Sequence, residues 1–262
     1  MEYLIDNLRN KFDFFLRNKI TFSRKNYSEK PQNIEEVFQN EKQKRFFETI
    51  KQTYGSDLAE NTTQRNFLGN LYYLVAFDKY LSKQNSEFLS VLDIGSKNWA
   101  YVKSEYTFFK SFAKDFVLNG IELDAYRLYS NFYNRYEIAK FYTKDLPKAN
   151  YIAGDFLKHT GNYDYIIWSL PFIIEYPLVK WGLPLEFFQP EKMLIHAYEL
   201  LNKNGELLII NQGEEEYKIQ KSMYEKLNIP YIPLGEIEDC FNLFKHKRYC
   251  SKVIKNTLPQ PV

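Results

Sequence analysis

After about residue 85 the sequence alternates between short apolar segments and longer amphipathic ones, and this alternation limits the chain to a small set of folds. Strands separated by helices pair in parallel, and the helices then cover both faces of the sheet. We therefore predict an α/β fold with a doubly wound, mostly parallel sheet, which segments 231–237 and 248–254 close as an antiparallel pair. The predicted parallel strands are Leu89–Gly95, Phe116–Leu123, Tyr151–Phe156, Tyr165–Ser169 and Glu206–Asn211.

Helical patterns occupy the spaces between most of these strands. In one of them, apolar residues one turn apart predict a helix over Ala125–Tyr142. Another has Pro190 in its first turn, and a third begins with the acidic residues 214–216, which suit the positive end of a helix dipole. These helices supply the layers that a parallel sheet needs on its two faces.

Residues 1–84 contain three helical patterns and no convincing strand. The second pattern has Asn33 followed three residues later by Glu36, a variant of the capping box, and the third begins near Thr62 or Thr63. We predict a helical N-terminal cap or lid over residues 1–84, placed over the carboxyl edge of an α/β domain that spans residues 85–262.

Composition and charge exclude several classes of protein. A chain of 262 residues with 45% hydrophobic residues has enough apolar surface for a large core, which excludes a disordered chain. Its 35 basic and 33 acidic residues give a net charge of +2, too small to indicate a nucleic-acid or membrane partner. Two cysteines and no apolar run of about 20 residues predict a cytoplasmic protein without a membrane partner. No histidine pair has metal-ligand spacing, so we predict no metal.

Two segments interleave basic and aromatic residues. Such stripes can follow a phosphate backbone while the rings stack on bases, but solvated loops and helix ends have the same composition. Both interpretations stay open, so nucleic acid is one candidate partner, and the sequence has no signature for the oligomeric state. The segments contain Arg17, Lys19, Phe22, Arg24, Lys25, Tyr27 and Lys30, and Lys245, His246, Lys247, Arg248, Tyr249 and Lys252.

Four short motifs follow the ends of four predicted strands. The carboxyl ends of parallel strands meet at one edge of a sheet, where the ligands of open α/β folds bind, so we expect these motifs to lie together. They are Asp93-Ile94-Gly95-Ser96-Lys97-Asn98-Trp99, Gly120-Ile121-Glu122-Leu123-Asp124, Ala153-Gly154-Asp155-Phe156-Leu157 and Ser169-Leu170-Pro171-Phe172.

The acid of the second motif indicates a cofactor that contains a nucleoside. Glu122 ends a strand 27 residues after Gly95 (122 minus 95), and a carboxylate in that place can accept hydrogen bonds from both ribose hydroxyls. Nicotinamide-dependent dehydrogenases use the same arrangement, so Glu122 alone does not identify the cofactor.

In their order and placement, the four motifs resemble those of class I S-adenosylmethionine-dependent methyltransferases, which have a Rossmann-like fold. The resemblance implies S-adenosyl-L-methionine as cofactor, because the G-x-G-x-x-G that cradles a dinucleotide pyrophosphate does not occur in this sequence. By this resemblance the cofactor-binding residues are Asp93, Gly95 and Ser96 for the methionine part, Glu122 for the ribose with Leu123 beside it, Asp155 and Phe156 for the adenine, and Ser169 near the methyl group.

The fourth motif resembles the segment at which the family transfers its methyl group. Members that methylate amino groups have Asp, Asn or Ser, two prolines and an aromatic residue, and Ser169, Pro171 and Phe172 match three of these four positions. A side-chain oxygen can orient an amine lone pair, and an aromatic ring can stack on a planar substrate. The resemblance implies a methyltransferase whose acceptor is unidentified, with an amino nitrogen favoured over carbon or oxygen.

The sequence departs from the family pattern in the loop after the first strand. The family continues with further glycines, whereas this chain has Ser96, Lys97, Asn98 and Trp99. The large side chains either line the cofactor pocket or fill it, and Leu170 also replaces a proline. The alternative hypothesis is therefore a degenerate methyltransferase fold that serves as a binding or scaffolding module, and a third is a nicotinamide-dependent oxidoreductase.

Overall fold

A single seven-stranded sheet organises the computed structural model, which describes residues 2–20, 27–55, 57–59 and 62–255. The strand order is β3-β2-β1-β4-β5-β7-β6; strands β1 to β5 are parallel to one another, and β7 is antiparallel to β5 and β6. The predicted α/β fold with an antiparallel closing pair is confirmed. The strands are β1 (Phe88–Ile94), β2 (Asp115–Glu122), β3 (Ala149–Ala153), β4 (Tyr163–Ser169), β5 (Leu201–Gln212), β6 (Ile232–Ile237) and β7 (Arg248–Ile254).

Helices cover both faces of this sheet, which explains why its central strands are apolar throughout. One face packs on α3, α4 and α5, and the other packs on α7 and α8. Strand β4 is buried along almost its whole length because alternate residues enter each of the two cores. The helices are α1 (Glu2–Lys19), α2 (Glu41–Tyr54), α3 (Gln64–Tyr80), α4 (Val102–Lys110), α5 (Arg135–Thr143), α6 (Glu175–Lys180), α7 (Pro190–Leu200) and α8 (Gly213–Lys226).

The predicted helix over Ala125–Tyr142 is wrong in its first half. Helix α5 begins at Arg135, because the Asn134 side chain accepts from the Glu137 amide and the Glu137 side chain accepts from the Asn134 amide, a capping box. Phe132 has a φ of 63°, which no helix interior tolerates. Residues 125–134 therefore form a loop beside the end of β2.

The second predicted helix also begins later than expected. The Asn33 side-chain amide donates to the Glu36 carboxylate, and the element that follows is a single 3-10 turn, Glu35–Val37. Asn40 caps α2 through the Gln43 amide. The third prediction is confirmed, since Thr63 caps α3 through the Asn66 amide.

The N-terminal helices occupy two different places. Helix α3 packs on α4 and is part of the core on one sheet face, with Phe67, Leu71 and Phe77 fully buried. Helix α1 instead contacts α6 and reaches the loop after β2 through Arg17, beside the carboxyl edge. The division of the chain near residue 85, and a lid role for α1, stay predictions.

Candidate functional site

The topology places the four motifs at one edge of the sheet. Strands β1 and β4 are neighbours, and the strand order reverses between them, which makes the crevice beyond their carboxyl ends the expected ligand site of an open α/β sheet. Asp93, Glu122 and Ser169 lie at the ends of β1, β2 and β4, and Asp155 follows β3. The expectation that these motifs lie together is met by the topology.

Three residues of the loop after β1 have a positive φ, the left-handed conformation that glycine adopts most easily, but only one of the three is a glycine. Gly95, Lys97 and Trp99 have φ values of 72°, 57° and 50°. Left-handed residues with a Cβ are strained, so the surrounding structure must hold Lys97 and Trp99 in place. The amides of Gly95 and Ser96 both donate to the Ile121 carbonyl, at 2.9 and 3.2 Å, and fix the loop to β2.

The Trp99 ring lies beneath this loop, between α4 and the sheet, and not beyond the carboxyl edge. It is fully buried, and its Nε1 donates to Glu105 Oε2 at 2.8 Å. The ring covers Gly120 so closely that a Cβ there would lie 2.7 Å from the ring atom Cε2. The large Trp99 ring therefore fits beneath the loop because the strand residue that it contacts, Gly120, has no side chain.

Two buried carboxyl groups lie without a cation beneath the end of β1. Asp93 accepts from the Tyr101 hydroxyl at 2.9 Å through Oδ2, whereas its Oδ1 accepts no hydrogen bond from the residues that the structure describes. Burial raises the pKa of Asp93 well above its ordinary value, and the charge of Glu122 raises this pKa further. Burial likewise raises the pKa of Glu105, with the Asp93 charge as the second cause.

Glu122 is held by three protein donors. Its Oε2 accepts from the Lys97 amide at 2.9 Å, and its Oε1 accepts from the Asp124 amide and from Arg135 Nη1, each at 2.8 Å. The carboxylate is 6% exposed. Because a carboxylate has about four acceptor positions, little capacity is left for ribose hydroxyls while Arg135 stays in place.

Positive charge gathers around the same strand end. Asp124 accepts from Arg17 at 2.5 and 3.0 Å and also lies 3.5 Å from Arg127 and 3.8 Å from Arg135. Burial lowers the pKa of Lys97, and the Arg135 charge lowers it further. The basic side chains outnumber the two carboxylates, Glu122 and Asp124, that they share.

An aromatic ring that the sequence did not single out covers these cations. Lys97 Nζ lies 4.8 Å and Arg135 Cζ 5.5 Å from the centre of the Trp181 ring, the two forming cation–π contacts. Trp181 is also 6.2 Å from the Phe172 ring. Neither Arg135 nor Trp181 lies in a motif, and only their meeting at this edge gives them significance.

The residues of the third motif face different environments. Asp155 lies at the edge, where it accepts from the Leu157 amide at 3.1 Å and lies 3.6 Å from Lys158 Nζ. Phe156 instead packs in the core under α7, with its ring 4.9 Å from that of His196. Leu123, of the second motif, is half-buried and packs against the apolar side chains of α6.

The fourth motif makes a tight turn at the end of β4. Leu170 has a φ of 57°, and its amide donates to the Ile210 carbonyl at 2.7 Å, which fixes the turn to β5. Ser169 and Pro171 are buried, whereas Phe172 is half-buried. Ser169 lies beside Tyr73, whose ring stacks on Tyr101 with centres 4.5 Å apart. Tyr73 and Tyr101 thus connect Ser169 to Asp93.

The two basic and aromatic segments do not form one free surface in the described chain. Phe22, Arg24 and Lys25 lie outside the described residues. Tyr27 packs its ring 5.0 Å from that of Tyr133, and Arg248 is 9% exposed. Nucleic-acid binding stays a prediction.

The described part of the chain offers neither a metal site nor a membrane-spanning helix. These residues contain no group of three His, Cys, Asp or Glu side chains that could hold a metal ion. None of the helices formed by these residues combines the length and apolar character needed to cross a bilayer.

No protein-family model and no curated protein matches the sequence, whereas solved structures do. One is a chain of the complex between the Haloferax volcanii Trm112 methyltransferase activator and a protein assigned as a methyltransferase, at 11% identity over 76% of this chain and 96% of that one, with a TM-score of 0.51. Others are an Aquifex aeolicus SAM-dependent methyltransferase (15% identity, 71% and 89% covered, TM-score 0.49) and the magnesium protoporphyrin IX methyltransferase of Synechocystis PCC 6803 (14%, 97% and 96%, TM-score 0.44). The chain has the Rossmann-like fold of class I S-adenosylmethionine-dependent methyltransferases.

Proposed function

We propose that this chain binds S-adenosyl-L-methionine at the carboxyl edge of β1, β2 and β3 and transfers its methyl group to an acceptor held near Ser169. The observation on which the proposal rests is Asp93 Oδ1, a fully buried carboxylate oxygen at the switch point of the sheet that has no partner in the described chain. A buried carboxylate needs a cation or a proton, and the ammonium of the cofactor supplies the cation.

The methionine end of the cofactor fits the residues present. When bound, the sulfonium supplies an activated methyl group, and an attacking lone pair takes that group without a strong base. Asp93 would hold the ammonium, and Gly95 and Ser96 would face it with a backbone anchored to Ile121. Burial raises the pKa of Asp93, and an ammonium beside it would lower that pKa again, so binding would favour loss of the carboxyl proton.

The space beyond the edge is left free by Trp99, which supports the proposal against the degenerate alternative. Its ring fills the gap over Gly120 beneath the loop. Lys97 differs, since its ammonium lies over Trp181 on the ligand side of the loop. We infer that Lys97 and Trp181 border the ribose and limit how the cofactor enters.

The ribose end fits only with a rearrangement. Glu122 would accept from ribose hydroxyls after Arg135 gives up its contact with Oε1, while the amides of Lys97 and Asp124 keep the carboxylate in place. Asp155 would accept from the adenine amino group. Phe156 packs within the core beside His196, so its contribution would be to support Asp155 from below.

For the acceptor, we propose a planar amine that stacks on Phe172 beside Trp181. The two rings already contact each other edge-on, with centres 6.2 Å apart and an interplanar angle of 62°, and the Ser169 hydroxyl at the end of β4 would orient the amine lone pair. Amine methylation needs such positioning more than proton abstraction.

Isothermal calorimetry with S-adenosylmethionine and S-adenosylhomocysteine tests the proposal. Both ligands should bind, and Asp93→Asn should lower their affinity by about tenfold or more, because a neutral amide cannot pair with the ammonium. The exposed Asp145→Asn is the matched control and should bind like the wild type. Repeating the titration in buffers of different ionisation enthalpy should detect the released proton in the wild type only.

The second candidate, a catalytically degenerate binding module, is favoured by one specific observation: three protein donors already occupy most of the acceptor positions of Glu122. It predicts no heat of binding and no thermal stabilisation with either ligand at millimolar concentration. Stabilisation by NAD instead would support the oxidoreductase hypothesis. Either result would contradict the methyltransferase proposal.

A further inference from the structure

Helix α1 is amphipathic, but its polar side packs against the protein, the reverse of the usual arrangement of a surface helix. Asn10 is 7% exposed and donates to the carbonyls of Val179 and Leu183 at 2.8 and 3.1 Å. The Asn7 side chain accepts from the Leu185 amide at 2.7 Å. Tyr3 and Phe14 are the apolar residues of α1 that pack on this side, against the side chains around α6. The helix is thus attached to the body largely by hydrogen bonds.

The opposite side of α1 is apolar and exposed. Residues spaced three or four apart share one face of a helix, so these side chains form a continuous strip, which we call the α1 stripe. Soluble proteins rarely leave such a strip in contact with water, and its presence indicates an interaction surface. The α1 stripe consists of Leu4 (66% exposed), Ile5 (59%), Leu8 (67%), Phe12 (63%) and Phe15 (58%).

Among the charged residues of α1, the basic ones lie nearest to this stripe; Arg9 pairs with Asp13, and Lys11 pairs with Glu186 of the body. Arg9 and Lys11 flank the inward Asn10 in sequence, so they project about 100° to either side of it, at the two margins of the stripe. Lys19 lies at its end, with Nζ 5.8 Å from the Phe15 ring centre. The acids lie nearer the body: Asp6, for example, pairs with Lys180 of α6 at 3.0 Å. The ion pairs that Arg9 and Lys11 make are exposed and therefore weak.

We propose that the α1 stripe docks on the surface of a bilayer that contains anionic lipids. A helix in this position buries its apolar side at the boundary of headgroups and acyl chains, and basic residues at its margins pair with anionic headgroups. In an isolated interfacial helix the polar side faces water, whereas the polar side of α1 faces the rest of the protein. The proposal concerns the outer side of α1 and does not rest on the proposed methyl transfer.

Charge also argues against a second copy of the chain as the occupant. Two stripes related by a two-fold axis would bring the basic margins of one copy to the basic margins of the other. Like charges in such a contact are destabilising, whereas anionic headgroups complement them.

Vesicle cosedimentation tests the proposal. The wild-type chain should sediment with phosphatidylcholine vesicles that contain about 30% phosphatidylserine and much less with pure phosphatidylcholine vesicles. Binding should fall as NaCl is added, because salt screens the basic margins. A wild-type chain that stays in the supernatant with both vesicles would overturn the proposal, and so would equal binding to both.

The decisive variant is Leu8→Ser/Phe12→Ser, which should lower the vesicle partition coefficient by about tenfold or more. Both side chains are exposed, so the variant should keep the wild-type circular dichroism spectrum and melting temperature. Phe88→Ser is the control, since Phe88 is 51% exposed at the start of β1, the opposite edge of the sheet, and should leave binding unchanged. Equal loss in both variants contradicts the assignment.

Light scattering after gel filtration identifies the competing occupant. The proposal predicts a monomer for the wild type and for the stripe variant. A wild-type dimer that Leu8→Ser/Phe12→Ser converts to a monomer would assign the stripe to a second copy and overturn the lipid proposal.

Discussion

Trp99 and Gly120 act as a complementary pair at the most altered position of the cofactor loop. The loop residue has the large ring, and the strand residue that faces it has no side chain, so the gap between α4 and β2 is filled without displacing the loop. This pairing explains how the loop keeps left-handed backbone at Trp99. The packing is a property of two residues that lie 21 positions apart (120 minus 99).

Gly120→Ala should therefore destabilise the protein, by about 1 to 3 kcal/mol, because the added methyl group overlaps a buried ring. The shift of the urea midpoint measures this change. Gly69→Ala is the control: its Cβ would have only one ordinary contact, at 3.9 Å from Leu243, and should not lower the midpoint. In a Gly120→Ala/Trp99→Leu double variant, the two costs should be less than additive, and strict additivity would argue against direct packing.

Glu122 has a second role, because it neutralises the buried Arg135 at 2.8 Å. Removing its carboxylate by Glu122→Ala would leave that guanidinium with only the longer, 3.8 Å contact with Asp124 among the ion pairs of the described residues, so a loss of ligand binding could not be separated from a loss of stability. Glu122→Gln keeps the shape and most of the hydrogen bonds.

We expect Glu122→Gln to weaken S-adenosylhomocysteine binding by about 10- to 100-fold, since hydrogen bonds to a charged acceptor contribute about 1.5 to 3 kcal/mol. Calorimetry measures the affinity, and a thermal melt reports how much of the protein is folded. Glu87→Gln, at an exposed ion pair with Lys114, is the control. Unchanged affinity in the Glu122 variant would remove this residue from the ribose site.

At the scale of elements, α1 is attached to the sheet edge by one buried guanidinium. Arg17 donates to both oxygens of Asp124 and to the Gly182 carbonyl, so a single side chain joins α1 to the loop after β2 and to the segment after α6. A cavity of about 620 Å³ lies between α1 and residues 126–128. Movement of α1 would open this cavity toward the strand ends.

Arg17→Met should release α1 from the edge while leaving the core folded, because Asp124 keeps Arg127 and Arg135 as partners. Hydrogen exchange of the amides in residues 2–20 should accelerate by about tenfold or more, and exchange in β1 and β4 should stay unchanged. Arg9→Met is the control, because Arg9 is exposed on α1 and pairs with Asp13 of the same helix at 3.6 Å. Equal exchange in both variants would contradict the anchoring role.

The molecule as a whole holds two buried acids, Asp93 and Glu105, whose pKa values are raised well above 3.8 and 4.5. The folded chain thus keeps protons that the unfolded chain releases. Their contribution to stability is complete below the unfolded pKa values and is lost as the pH rises through the folded ones.

The free energy of unfolding should accordingly fall as the pH rises above the ordinary pKa values of these two groups, 3.8 and 4.5. Glu105→Gln, which cannot ionise and still accepts from the Trp99 indole, should flatten this slope. Urea titrations at several pH values measure both. Glu48→Gln, in an exposed part of α2, should keep the wild-type slope, and a stability that rises with pH in the wild type would refute the assignment.

The sequence by itself determined the sheet. Parallel strands that are buried on both faces need apolar residues on both faces, so each strand is visible in the sequence as a short apolar run. It also determined which acids end the strands, since Asp93 and Glu122 are the polar residues that follow such runs. It failed over residues 125–134, where apolar spacing alone predicted a helix and the Asn134 capping box set a later start.

Tertiary structure alone decided what surrounds those acids. The Trp99 ring packs on Gly120, Arg135 donates to Glu122, and the Trp181 ring lies over Arg135. Each of these contacts joins residues that no local motif connects. The same holds for α1, whose apolar periodicity predicts a helix but not which side faces the body. Its inward side is polar because Asn7 and Asn10 form hydrogen bonds there with the backbone around α6. The sequence of α1 alone does not show where those backbone groups lie.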